Sequence, residues 1–87
     1  MEISMKITYR GTKLQAKRKE RGLSQSQLAT ASGVNIRTLQ KYEIGEKDLN
    51  SAKLSTLLRL CIALECRLID ILNDPETVQL LETYGAR

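Results

Sequence analysis

Residues 32–45 read SGVNIRTLQKYEIG. On an α-helix Ile36, Arg37, Gln40 and Lys41 share one side, because 36 and 40, 37 and 40, and 37 and 41 are spaced i, i+3 or i, i+4. Their chemistry suits a polyanion with readable edges. A guanidinium forks onto guanine O6 and N7 or onto a phosphate, and a carboxamide pairs with adenine N6 and N7. Ile36 has two readings: an apolar partner for a thymine methyl, or a staple onto Leu39 or Leu23. Lys41, with Arg10, Lys13 and Lys17 upstream, would supply sequence-independent phosphate contacts. Leu39 and Tyr42 fall on the opposite side, together with Val34 just before the helix.

A helix carrying such a face has to be started, stopped and held. Asn35 is its expected N-cap and Gly45 its stop. Upstream, Thr12 to Arg21 is helical in composition and Gly22 ends it. Ser24 and Gln27 form a capping box that opens a second helix, and Gly33 supplies the positive φ of the turn that follows. Small Ala29 lies where the second and third helices would cross, which makes a helix-turn-helix pattern. The stretch EKDLNS reads as a polar loop. Leu54, Leu57, Leu58, Cys61, Ile62 and Leu64 give a strongly apolar fourth helix, and Leu68, Ile69 and Leu72 a short fifth. Asp74 and Pro75 mark the start of a last amphipathic helix. Residues 1–11 alternate apolar and polar, as a short strand or an ordered arm would, and the preferred reading is a basic mobile arm.

Composition narrows the function classes. The chain has 87 residues, 41% of them hydrophobic, with three Tyr and no Phe or Trp, so one small domain with an aliphatic core is expected. It has no His, and Cys61 and Cys66 match neither a redox Cys-x-x-Cys pair nor a zinc knuckle. They read as small buried hydrophobes in a reducing compartment. Neither a metal, a cofactor nor enzymatic activity is expected. No apolar run approaches the roughly 18 residues of a membrane span, and no secretory signal is evident, so a cytoplasmic location is expected. Residues 1–22 hold seven Lys and Arg against two Glu, whereas residues 73–87 hold three acids against one Arg. A basic front and an acidic tail suit a protein that grips a polyanion at one end.

The run from RKERGLSQSQLATASGV to YEIG, followed by LLRLCIALECRLIDIL, resembles the helix-turn-helix family of phage repressors, Cro and Xre-type regulators. The resemblance covers residues 12–73 and implies an all-α, five-helix lambda-repressor-like DNA-binding domain. Residues 1–11 would then be an N-terminal arm, and residues 74–87 a short extra C-terminal helix and tail. By position, Gln25 corresponds to the glutamine that contacts a phosphate and braces the recognition helix. Asn35, Ile36, Arg37, Gln40 and Lys41 occupy recognition positions. Arg18 and Glu43 match a pair that in many members forms a buried salt bridge. The loop after Gly45 is about three residues longer than is typical, and its Lys47 is a phosphate candidate among Glu46 and Asp48.

The resemblance implies a homodimeric repressor that binds a palindromic double-stranded DNA operator, with half-sites one helical turn apart. The expected dimer surface is Leu68, Ile69, Leu72, Leu80 and Leu81, which could instead pack within one chain. The alternative function is an antitoxin, which masks a toxin protein and also binds its own promoter. A third reading is an interaction module that has lost DNA binding.

Overall fold

A computed structural model describes residues 12–85. The expected arm of residues 1–11, with Arg10, lies outside the described residues. Among the described residues six α-helices follow one another: α1 (Lys13–Glu20), α2 (Gln25–Ser32), α3 (Ile36–Glu43), α4 (Leu54–Leu64), α5 (Leu68–Ile71) and α6 (Pro75–Gly85). There is no strand among the described residues, as the all-α expectation requires.

Local chemistry accounts for most of the boundaries. Thr12 Oγ1 accepts from the Gln15 N–H at 3.2 Å and starts α1. Lys17, Arg18 and Lys19 fill its last turn, where cations complement the helix dipole. The Ser24–Gln27 capping box is present with both reciprocal bonds, at 3.0 and 2.8 Å. Gly33 adopts φ 75°, a left-handed conformation that costs a Cβ-bearing residue about 1–2 kcal/mol. Asp74 accepts from the Thr77 N–H at 3.0 Å at the head of α6, and Pro75 needs no partner there.

The core joins Leu14, Leu28, Leu39, Leu60 and Leu64, all without solvent exposure, to Val34, Tyr42, Leu57, Cys61, Ile71 and Leu72. Helix α2 packs on α3 and α4, while α1 packs on α3 and α5. Burial by six or more apolar side chains of this kind, at about 1.5–3 kcal/mol each, is what holds helices of eight residues that would not persist alone. Burial also pushes the Cys61 thiol up to about 12, with Cys66 adding to the shift, and it raises Cys66 too. Thiols held protonated in this way are poor nucleophiles.

Two expectations need correction. The segment EKDLNS is not simply a polar loop. Leu49–Ser51 forms a 3₁₀ turn capped by Asp48, and Leu49 enters the core. Helix α4 is strongly apolar on both its covered and its open sides. Leu57, Leu60, Cys61 and Leu64 point inward, but Leu54, Leu58 and Ile62 are 61%, 44% and 76% exposed. The expected dimer surface is also broken up. Leu72 is a core residue, Leu68 and Leu81 pack partly against the core, and Leu80 is exposed.

Two long-range clamps were not anticipated. Lys13 Nζ donates to the carbonyls of Ile69 and Leu72 at 3.0 and 2.7 Å. Arg21 donates from Nε to Leu64 O and from Nη2 to Glu65 O, both at 2.8 Å. Each supplies donors to carbonyls that a helix end leaves unpaired. The second clamp fixes Glu65, which ends α4 in the left-handed region at φ 54°.

Candidate nucleic-acid interface

The N-terminal end of α3 is fixed by Asn35, whose Oδ1 accepts from the Arg37 and Thr38 N–H groups at 2.8 and 3.3 Å. That cap sets which residues of the following turns face out. Arg37, Gln40 and Lys41 are exposed and Ile36 is half-buried, while Leu39, Tyr42 and Glu43 are buried. The half-burial of Ile36 serves both of its readings, since part of the side chain packs and part remains free. Ile44, just past the helix, is 66% exposed and lines a shallow groove with Arg37, Gln40, Lys41 and Glu46. Sequence reasoning passed over Ile44, because an apolar residue at a helix end is ordinarily read as part of the core.

A polar chain ties this face to the interior. Arg18 donates from Nε to Glu43 Oε2 at 2.6 Å and from Nη2 to Glu43 Oε1 at 3.0 Å. Its Nη1 donates to Leu23 O at 2.8 Å, at the entry to α2. Gln25 Nε2 donates to Glu43 Oε1 at 3.0 Å, so the carboxylate accepts three bonds while having no solvent exposure. Such satisfaction is what a buried charge requires. Gln25 Oε1 in turn accepts from Gln40 Nε2 at 3.2 Å. The chain therefore runs from α1 through α3 and α2 and returns to the exposed face of α3. Spacing alone gives no sign of the link between Gln25 and Gln40, which lie 15 positions apart, and a bracing role for Gln25 was implied only by the resemblance.

The cations divide into two groups. Lys13 is engaged at the end of α5, on backbone carbonyls, which removes it from the outward face of α3. Lys17 pairs with Glu20 at 3.1 Å one turn away. Lys47 lies over the Tyr42 ring, 5.7 Å from its centroid, an attraction that holds the loop against α3. Arg37 and Lys41 remain on α3 itself, and Glu46 is the acid in their groove.

The arrangement presents a rigid, capped helix with hydrogen-bonding side chains at its N-terminal turns. An α-helix enters the major groove, and its N-terminal residues meet base edges. Among the described residues no helix is long and apolar enough to cross a membrane. No curated protein and no solved structure matches the chain. A family model described as helix-turn-helix does match, over residues 14–71. That span is more than half of the chain and takes in α1 to α5, so the chain belongs to the DNA-binding helix-turn-helix family of Xre and Cro type.

Proposed function

We propose that this protein is a sequence-specific transcriptional regulator that acts as a homodimeric repressor at a palindromic operator. The observation that carries the reading is the outward face of α3. Arg37, Gln40 and Lys41 are exposed beside a half-buried Ile36, and the Arg18–Glu43–Gln25 chain holds their backbone rigid. Arg37 reads guanine or grips a phosphate, Gln40 pairs with adenine, and Ile36 meets a thymine methyl. Asn35 and Gln25 stand at the N-terminal ends of two helices, where polar groups meet the phosphate backbone. Lys41 and Lys47 contribute phosphate contacts without sequence preference. One recognition helix specifies few base pairs, so two copies would read half-sites about 34–36 Å apart.

A second reading, an antitoxin that masks a toxin and binds its own promoter, draws support from the exposed apolar residues of α4 and α6. Both readings share the DNA step. The test is selection of bound sequences from a random duplex pool by the purified protein at a stated salt concentration. An enriched inverted repeat is expected. Weak, salt-sensitive binding with no enrichment would overturn the proposal.

A further inference from the structure

The loop between α3 and α4 places Lys47 and Asp48 side by side. An exposed carboxylate next to a phosphate-binding lysine weakens it twice, by pairing with the ammonium and by repelling the phosphate. In this loop the Asp48 carboxylate is engaged elsewhere. Its Oδ1 accepts from the Asn50 N–H at 3.0 Å and from Asn50 Nδ2 at 2.9 Å, and its Oδ2 accepts from Ser51 Oγ at 3.1 Å. The bonds from Asn50, side chain first and backbone next, hold the Asp48 carboxyl below its ordinary range. Among the described residues no ion pair joins Asp48 to Lys47, whose ammonium lies over the Tyr42 ring.

Asn50 is itself held from the other side. Its Nδ2 also donates to Asn73 Oδ1 at 3.0 Å, and its Oδ1 accepts from the Asp74 N–H at 3.3 Å. Both ends of the carboxamide are thus engaged. Its orientation is fixed, because a carboxylate only accepts and a backbone N–H only donates. Asn73 and Asp74 stand at the head of α6, where Asp74 Oδ2 also accepts from the Thr77 N–H and hydroxyl at 3.0 and 2.8 Å. The helix-turn-helix match ends at residue 71, so this anchor belongs to the part of the chain beyond the family domain.

We propose that Asn50 is a positioning residue for DNA binding: anchored by the head of α6, it draws the Asp48 carboxylate into the loop and leaves Lys47 available to a phosphate. This rests on the phosphate role given to Lys47 above and adds a part for α6 in it. Lys47, Asp48, Asn50 and Asn73 line one cleft of about 230 Å³ with Tyr42, so a released Asp48 carboxylate shares its space with the Lys47 side chain. Glu46 lines the separate groove of Arg37 and Lys41 and is not part of this arrangement. Closing the loop alone would need only the backbone cap of Asp48. The second bond from the Asn50 side chain, and its tie to α6, hold the acid in one place.

The experiment is fluorescence anisotropy of the full chain on a DNA duplex across a salt series, with folding checked by circular dichroism. Asn50→Ala should weaken binding roughly two- to fivefold for each copy bound and flatten the log–log salt slope by about one unit per copy. Asp48→Asn removes the charge and keeps a cap, since the asparagine oxygen also accepts. In the Asp48→Asn chain, adding Asn50→Ala should change neither affinity nor slope. A lower melting temperature with unaltered affinity would overturn the proposal and leave Asn50 a purely structural residue. Equal losses in both backgrounds would overturn it as well, because the effect would not pass through Asp48. Asn73→Ala, at an exposed position, removes only the anchor on the α6 side and decides the matter if Asn50→Ala does not fold. It should weaken binding in the same direction, again only while Asp48 is charged, and no change would overturn the part played by α6. The slope is readable on a random duplex as well as on an operator. Failure to enrich a sequence would therefore sink the repressor reading and leave this test in force.

Discussion

Glu43 illustrates how the role of a single residue can depend on a partner far along the chain. A carboxylate is ordinarily solvated, yet Glu43 is fully buried and its carboxylate accepts three hydrogen bonds. Its inward role was legible only because Arg18 and Glu43 stand where family members carry a paired charge. Glu43→Ala would strand Arg18, itself only 8% exposed, without its counter-charge. The expected cost is about 3–5 kcal/mol, far more than a surface ion pair is worth. Thermal unfolding followed by circular dichroism checks this, and an unchanged Tm would contradict the buried pair. Arg37 tests the other side of the same helix. Arg37→Ala should cost about 1–3 kcal/mol in binding and relax preference at one base position if the guanidinium reads guanine. Equal weakening on every sequence would instead assign Arg37 to a phosphate.

At the scale of elements, starts and stops were the most legible features because each depends on neighbours within a few residues. Ser24 with Gln27, Asn35 before α3 and Asp74–Pro75 before α6 all act locally, and all are in place. Which face of a helix is covered is a different kind of question. Helix α4 is apolar on nearly every side, so spacing alone cannot distinguish inward Leu57 and Leu60 from outward Leu54, Leu58 and Ile62. The clamps were equally out of reach, since Arg21 meets Leu64 across 43 positions and Lys13 meets Leu72 across 59. Arg21 had counted only toward the basic front. Its two bonds instead hold the left-handed end of α4, a conformation that costs a non-glycine residue about 1–2 kcal/mol. Arg21→Ala should therefore lower stability by about 1–3 kcal/mol, as two charge-assisted bonds are lost. Urea unfolding measures that change. DNA affinity of the folded fraction should be unaltered, and a selective loss of affinity would place Arg21 at the nucleic acid.

For the whole molecule, the distribution of engaged and free cations decides how strongly binding depends on salt. A count of basic residues in the front of the chain would predict many phosphate contacts, but the fold spends several of them internally. Arg18 is buried against Glu43, Arg21 caps α4, and Lys13 caps α5. Arg37 and Lys41 remain on the outward face of α3, and Lys47 lies over the Tyr42 ring. Two to four phosphate contacts per copy would give a dimer a slope of about −4 to −7 in a plot of log binding constant against log salt. Lys41→Ala, which removes one contact from each copy, should flatten that slope by about two units. Lys13→Ala should leave the slope alone and lower the melting temperature, because its ammonium serves carbonyls of α5. Fluorescence anisotropy on an operator duplex across a salt series separates the two variants. If Lys13→Ala flattened the slope as much as Lys41→Ala, the nucleic acid would have to approach the α1–α5 side, and α3 would lose its claim to be the main reading surface.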